Sequence, residues 1–160
     1  MGEPHVVTLR ATRDRDLDAL FTFEQDATAV QMAAFTPPDP TDRATFDAHW
    51  RRLLADPSVD ARTVRADGDI VGSVARWYEE GDAEITYWID PAHWGEGIAS
   101  RAVRLFLDSL HERPVRVRVA ADNARSIAIL EKLGFEQVGT EVSYANARGT
   151  EIEELVYRLA

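Results

Sequence analysis

The spacing of apolar residues along the chain predicts alternating strands and helices. Stretches rich in β-branched and aromatic residues, with partial alternation of apolar and polar positions, are typical of strands. They lie at residues 6–10, 61–66, 70–78, 83–90, 115–120, 135–145 and 151–159. Apolar residues at helical spacing, each run preceded by a capping residue or a glycine, predict helices. These are expected to begin at Thr12 or Asp14, at Thr41, after Gly97 and at Asp122 or Asn123.

Turn and loop signals predict how these elements connect. Residues 25–40 are expected to be a loop, because three prolines between positions 37 and 40 exclude a regular helix there. Asp67-Gly68 is a strong two-residue hairpin signal, so the strands on either side and the next strand along the chain are expected to form an antiparallel meander. The helix after Gly97 joins strands 83–90 and 115–120, and a connection of that length implies a parallel pair.

The predicted fold class is therefore α/β (α+β). The chain has 160 residues, a common size for one domain, and shows no internal repeat, linker or low-complexity tract. We expect one domain over residues 1–160, built as a mixed, largely antiparallel sheet of about seven strands with helices on both faces.

One connection, AEITYWIDPAHWGEGIASRA at residues 83–102, predicts a site for an anion. Asp90-Pro91 ends a strand, because proline has no N–H for the ladder. A helix then begins at Ile98, with an apolar face that is expected to include Ala102, Leu105, Phe106 and Leu110. Gly95 and Gly97 allow a ligand to approach the backbone closely, and the free N–H groups of the first helical turn favour a phosphate.

The glycine turn fits neither of two common nucleotide-binding motifs. A Walker A loop needs Lys-Ser or Lys-Thr after its last glycine, and none is present. A dinucleotide fingerprint needs a third glycine or an alanine at position 100, where Ser100 stands, so that match is incomplete. On this stretch alone, a plain strand-to-helix turn remains the alternative to an anion site.

A second stretch, NARSIAILEKLGF at residues 123–135, predicts a capped helix that ends at Gly134. Together with YWIDPAHWGEGIASRA, it resembles the GNAT superfamily of acyl-CoA-dependent N-acetyltransferases. Within that superfamily the two motifs look most like the branch of ribosomal-protein alanine acetyltransferases (RimJ/RimL-like). The acyl-CoA loop of the family is Gln/Arg-x-x-Gly-x-Gly/Ala, and here Trp94 stands in place of the usual Gln or Arg. This change removes one expected polar contact to phosphate.

The resemblance implies acetyl-CoA as co-substrate and a parallel strand pair that splays apart to admit its pantetheine arm. It also implies a set of residues that contact acyl-CoA through the exposed strand end, the glycine loop and the next helix start. These are Trp88, Ile89, Asp90, Trp94, Gly95, Glu96, Gly97, Ile98, Ala99, Ser100, Asn123 and Ser126.

The implied reaction is the attack of an amine on a thioester, which needs a carboxylate to take the proton. Glu84 is the first candidate base, since several superfamily members place theirs on the strand before the acyl-CoA loop. The alternative is that Glu84 is a solvated carboxylate near a strand end. Other candidates, which the sequence does not rank, are Glu24, Glu141 and Glu153.

A polar donor would assist departure of the thiolate. The resemblance implies Ser126 as this donor, while a tyrosine that the superfamily often uses is replaced here by Leu130. Tyr87 and Tyr144 are possible substitutes, or else are simply partly buried aromatic residues of strands.

Composition narrows the classes of function and partner. The formal net charge of −10 argues against nucleic-acid binding and is compatible with a cationic amine as acceptor. The four histidines lack metal-ligand spacing and cysteine is absent, so no metal is expected. No apolar run is long enough to cross a membrane and no signal-peptide pattern is present, which predicts a cytoplasmic protein.

The predicted function is therefore transfer of an acetyl group from acetyl-CoA to a primary amine, either a protein N-terminus or a small molecule. The alternative is a non-catalytic regulatory module that binds acyl-CoA or a nucleotide. The sequence leaves open whether the protein is a monomer or a homodimer.

Overall fold

Seven strands form one sheet in the computed structural model, which describes residues 5–160. Their order across the sheet is β1-β2-β3-β4-β5-β7-β6. The strands are β1 (Val7–Ala11), β2 (Asp60–Ala66), β3 (Asp69–Glu79), β4 (Asp82–Ile89), β5 (Val115–Ala120), β6 (Glu136–Ala145) and β7 (Thr150–Leu159). The helices are α1 (Leu17–Phe23), α2 (Ala27–Ala33), α3 (Arg43–Ala55), α4 (Ile98–Ser109) and α5 (Ala124–Lys132).

The pairing of the strands confirms the predicted mixed, largely antiparallel sheet. β2, β3 and β4 form the antiparallel meander, and both turn residues of the first hairpin, Asp67 and Gly68, have positive φ. β4 and β5 are parallel, as the crossover through α4 implied. Their pairing consists of Ala83 with Val115 and Glu84 with Arg116, after which the two strands diverge.

Helices cover both faces of the sheet, because strand residues that point to either face are apolar and need to be buried. On one face, α4 and α5 pack on β-strand residues such as Val64 and Val117 and form the main core. On the other face, α1 and α3 enclose a second apolar cluster around Leu17, Leu20 and Trp50. Among the helices described for residues 5–160, none combines the length and the apolar character that a membrane span requires.

The prediction of an uninterrupted loop over residues 25–40 was wrong. Residues Ala27–Ala33 form α2, because the Asp26 carboxylate accepts a hydrogen bond from the Ala29 N–H at 2.8 Å and so caps the helix. The helix ends at Ala34, whose φ of 64° lies in the left-handed region. The prolines that dominate the sequence signal exclude helix only after this point.

Three smaller expectations also needed correction. α3 is capped by Asp42, which accepts from the Thr45 N–H, rather than by Thr41. Neither Thr12 nor Asp14 caps the first helix, which follows a 3-10 turn at Asp14–Asp16. Leu105 is 41% exposed, since the buried face of α4 consists instead of Ile98, Ala102, Val103, Phe106 and Leu107.

A buried carboxylate joins the start of α1 to the sheet. Asp16 is 1% exposed and forms a two-pronged ion pair with Arg10 of β1, at 2.7 and 2.8 Å. It also accepts hydrogen bonds from the Arg13 N–H and from the Thr63 hydroxyl of β2, each at 2.9 Å. Burial by itself raises the pKa of Asp16, but these partners stabilise the anion more strongly and lower the pKa to about 2.

We expect Asp16→Asn to lower the free energy of unfolding by about 3 kcal/mol at pH 7, since breaking one side of a buried pair leaves Arg10 uncompensated. Because the pKa of Asp16 is depressed in the folded state, this stabilisation is fully present above the pKa of Asp16 in the unfolded chain, about 4. It is lost as the pH falls towards about 2.

Urea unfolding of wild type and variant across this pH range measures the effect. Asp18→Asn is the control, because Asp18 is 87% exposed and its ion pair with Arg43 is expected to contribute less than about 1 kcal/mol. Equal midpoints for the two variants would contradict the role assigned to Asp16.

Candidate active site

A cavity of about 480 Å³ opens where β4 and β5 diverge. We call it the loop cavity, because the glycine loop after β4 forms one of its walls. All but two of the residues that the sequence assigned to acyl-CoA line it: Trp88, Ile89, Trp94, Gly95, Gly97, Ile98, Ala99, Ser100, Asn123 and Ser126. The start of α5 and residues of α2, including Met32, complete the lining.

The two remaining residues, Asp90 and Glu96, do not line this cavity. The Asp90 carboxylate accepts a hydrogen bond from the Ala92 N–H, and the backbone N–H of Asp90 donates to the Val71 carbonyl at 2.8 Å. Glu96 turns away from the cavity and contacts His5 at 2.6 Å and His93 at 3.2 Å. Glu96 therefore ties the glycine loop to the segment before β1.

The glycine loop has the backbone geometry that the anion prediction requires. Gly95 and Gly97 have φ of 83° and 78°, in the region that other residues rarely adopt. Gly97 is the N-cap of α4 and provides no side chain to cap it. The N–H groups of the first turn thus remain available to a ligand at the positive end of the helix dipole.

Gly72 positions the end of β4, which sequence reasoning missed. A Cβ at this buried residue of β3 would lie 2.2 Å from the Trp88 carbonyl oxygen, closer than any contact allows. The absence of a side chain lets β3 approach the stretch of β4 that lines the loop cavity. The only sequence signal is an isolated glycine within a strand pattern, which often marks a close backbone approach.

Two hydroxyl groups meet in the wall of the loop cavity. Tyr87 of β4 and Ser126 of α5 share a hydrogen bond, and Asn123 orients this turn by accepting from the Ser126 N–H at 3.2 Å. Burial raises the pKa of Tyr87, so it is neutral and retains its proton. Tyr144 is 59% exposed on β6 and lines none of the three cavities described here.

Glu84 is not a solvated carboxylate, since it is only 5% exposed. It pairs with the Arg118 guanidinium of β5 at 3.2 Å, and Arg118 also contacts Glu141 and lies 3.8 Å from Glu154. Burial raises the pKa of Glu84, while Arg118 limits the rise by stabilising the anion. Glu153, the remaining candidate, is exposed and lines none of these cavities.

Glu24 lies immediately after α1 and combines burial with a free carboxylate. The Trp88 indole N–H donates to the carbonyl of the preceding residue, Phe23, at 3.2 Å, which holds this segment beside β4. The half-buried carboxylate forms no ion pair or side-chain hydrogen bond with residues 5–160, and burial raises its pKa to about 7. Glu24 is therefore suited to accept a proton near neutral pH.

Two further cavities, of about 470 and 450 Å³, lie beside the loop cavity. Both are lined by Glu24, and we call them together the acceptor space. Aromatic residues form much of its wall: Phe35, Phe46, Trp50, Trp77, Tyr87 and Trp88. Tyr87 and Trp88 also line the loop cavity, so these two residues form a wall common to all three cavities, and we call this wall the junction. Within residues 5–160, no group of three acidic or histidine side chains is arranged to hold a metal ion.

Comparison with known proteins identifies the family. Residues 7–136 match the family described as acetyltransferase (GNAT) domain. The chain is 26% identical to the uncharacterized N-acetyltransferase p20 of Bacillus licheniformis, over 96% of this chain and 92% of that protein. It is 29% identical to the N-alpha-acetyltransferase RimI of Mycobacterium tuberculosis, over 79% of this chain and 81% of RimI.

A solved structure shares the fold across nearly the whole chain. Mycobacterium smegmatis RimJ in complex with CoA-disulfide superposes with a TM-score of 0.80 at 22% identity, covering 96% of this chain and 81% of that chain. The fold is thus the one that the resemblance to the RimJ/RimL-like branch implied. Since the matched residues extend over most of the sequence, the chain belongs to the GNAT acetyltransferase family.

Proposed function

We propose that this protein transfers the acetyl group of acetyl-CoA to a cationic primary amine, by direct attack of the amine on the thioester. The observation that carries the proposal is the junction of the three cavities at Tyr87 and Trp88. A ligand with its phosphates at the glycine loop and its arm in the gap between β4 and β5 would bring its thioester to this junction. An amine in the acceptor space would then approach the thioester from the opposite side.

The charges around the acceptor space favour a cation. Five carboxylates line it, Glu24, Asp39, Asp42, Glu84 and Glu154, against two guanidinium groups, Arg52 and Arg118. The aromatic wall adds apolar surface and faces that attract cations. An amine with an apolar body therefore suits this space better than an anionic molecule does. A protein N-terminus has such an α-amino group, the group indicated by the name N-alpha-acetyltransferase of RimI, and a small-molecule amine is the other candidate.

We assign the general-base role to Glu24, which changes the order predicted from the sequence. Glu24 has no partner to hold its carboxylate among the described residues and titrates near neutrality, whereas Glu84 is held by Arg118. Glu24 takes the proton that the attacking nitrogen loses as the new C–N bond forms. Glu84 and Arg118 then act as a fixed charge pair that shapes the acceptor space.

The Tyr87–Ser126 pair completes the proton transfers. As the C–S bond breaks, the departing thiolate needs a proton, and the pair has hydroxyl hydrogens beside the junction. Ser126 occupies the position implied by the resemblance, and Tyr87 compensates for the leucine at position 130. The cationic amine first loses its ammonium proton to solvent, because only the neutral nitrogen has a lone pair for the attack. Glu24 then takes the second proton from nitrogen, and the hydroxyl pair gives one to sulfur. Exchange with solvent returns a proton to the pair and removes one from Glu24, so the net products are the amide, the thiol and one proton.

The proposed catalytic unit extends over residues 1–160, and the single sheet from β1 to β7 supports that assignment. The cytoplasmic location and the choice between monomer and homodimer stay predictions. The non-catalytic alternative has the same loop cavity, and acetyl transfer to an amine separates it from the enzyme.

We expect Gly97→Val to weaken CoA binding by about 1–3 kcal/mol, because a side chain disfavours the left-handed turn and obstructs approach to the N–H groups. Isothermal titration calorimetry measures the change. Gly81→Val is the matched control, since Gly81 has a φ of 87°, lies in the β3–β4 turn and has open space around it. Equal CoA affinity of the two folded variants would refute the binding role of the loop.

We expect Glu24→Gln to lower kcat by roughly 10²–10⁴-fold near pH 7, the usual contribution of general-base catalysis. Since only ionised Glu24 accepts a proton, the wild-type rate should rise through its pKa of about 7, and this inflection should vanish in the variant. At higher pH the deficit should shrink, because more of the amine is already neutral.

Glu84→Gln is the comparison that separates the two carboxylates. A fixed-charge role predicts a higher KM for the amine with kcat near that of wild type. If Glu84→Gln removes the pH inflection and Glu24→Gln does not, Glu84 is the base, as the sequence first suggested.

For the hydroxyl pair, we expect Tyr87→Phe and Ser126→Ala each to lower kcat modestly, and the double variant to lose roughly 10²-fold. The reason is that either hydroxyl can serve when the other is removed. Steady-state kinetics with saturating acetyl-CoA measures the effect. A double variant with wild-type kcat would exclude the pair as the proton source.

A further inference from the structure

Arg125 lies in the first turn of α5 and faces the glycine loop. Its guanidinium carbon lies 4.8 Å from the centre of the Trp94 ring, within the range of a cation–π interaction. Both side chains line the loop cavity, together with Gly95, Gly97 and Ser100. The guanidinium thus lies over the Trp94 ring, in the wall that also contains the glycine loop.

The guanidinium of Arg125 has no ionic partner within residues 5–160. The neighbouring cations of the site differ in this respect, since Arg118 contacts Glu84 and Arg148 pairs with Asp122 at 2.7 Å. Stacking on an aromatic ring leaves the N–H edges of a guanidinium free to donate to oxygen atoms. Arg125 thus lies over the Trp94 ring at the mouth of the cavity, and its N–H donors remain available.

The positive charge of Arg125 is unusual in this acidic protein and suits an anionic ligand. The protein has a formal net charge of −10, and the proposed ligand carries several negative charges on its phosphates. Among the residues that line the loop cavity, Arg125 alone has a permanent positive charge. The other basic residue there, His93, lies 3.2 Å from Glu96. Anion binding in this cavity depends on backbone N–H groups and on Arg125.

Trp94 contributes its ring, rather than a polar atom, to the binding of an anion in the loop cavity. The indole N–H of Trp94 donates to the Ile89 carbonyl at 3.0 Å. Its polar atom is therefore directed into the strand end, and its ring face receives Arg125.

We propose that Arg125, which lies over the Trp94 ring, binds the phosphate groups of acyl-CoA and adds a positive charge to a cavity whose other donors to an anion are backbone N–H groups. The inference rests on the proposed use of acetyl-CoA. It adds a specificity-determining residue to that function and predicts that Arg125 discriminates in favour of phosphorylated ligands.

Titration calorimetry with CoA tests the proposal on wild type, Arg125→Gln and Arg104→Gln. Arg104 is an exposed residue of α4 outside the loop cavity, so its variant has the same change in net charge. We expect Arg125→Gln to bind CoA about 10- to 100-fold more weakly, the range for hydrogen bonds to charged groups, and Arg104→Gln to bind as wild type does. Salt should weaken CoA binding more steeply in wild type than in Arg125→Gln.

The same titrations with 3′-dephospho-CoA identify the phosphate. A smaller loss for this ligand than for CoA assigns Arg125 to the 3′-phosphate, and an equal loss assigns it to the pyrophosphate. Affinities of Arg125→Gln and Arg104→Gln within twofold of each other would overturn the inference alone. Failure of wild type to bind CoA would instead overturn the proposed function and the inference with it. Circular dichroism verifies that each variant is folded.

Discussion

The short parallel pairing of β4 and β5 is the constraint on which the site depends. Two residue pairs hold the strands together at one end, and beyond Glu84 the strands diverge while remaining anchored to β3 and β7. A sheet with an interrupted ladder exposes backbone groups that need partners. The divergence thus creates both the opening that forms the loop cavity and an unpaired strand edge suited to a ligand with amide groups.

Charge divides the site into two halves with opposite preferences. The loop cavity presents helix N–H groups and Arg125, which favour phosphate, whereas carboxylates outnumber guanidinium groups around the acceptor space. Tyr87 and Trp88 separate the halves with apolar surface and one hydroxyl. The formal net charge of the protein is −10, so a cavity that favours an anion is an exception in it. The position of this cavity beside the glycine loop orients acetyl-CoA, with its phosphates at the loop and its thioester towards the acceptor space.

Features that depend on local backbone chemistry were predictable from the sequence. The glycine loop, the Asn123 cap and the meander each follow from a short segment of the sequence. The fold class follows from the order of the predicted strands and helices. The contacts across the site were not predictable, because they join distant segments: Tyr87 meets Ser126, and Glu24 is buried beside Trp88 through the Phe23 carbonyl. Glu84 was the first candidate base because of its place on the strand before the glycine loop. Its pairing with Arg118 could not be predicted, because Arg118 lies on another strand. The role of Gly72 likewise depends on a neighbouring strand.

The release of free thiol from acetyl-CoA in the presence of a primary amine tests the central claim most directly. The account predicts one thiol for each acetylated amine, with cationic acceptors that carry an apolar body used in preference to anionic acceptors of similar size. Tight CoA binding with no thiol release above spontaneous hydrolysis, across cationic peptides and small amines, would contradict it and leave the protein as a binding module.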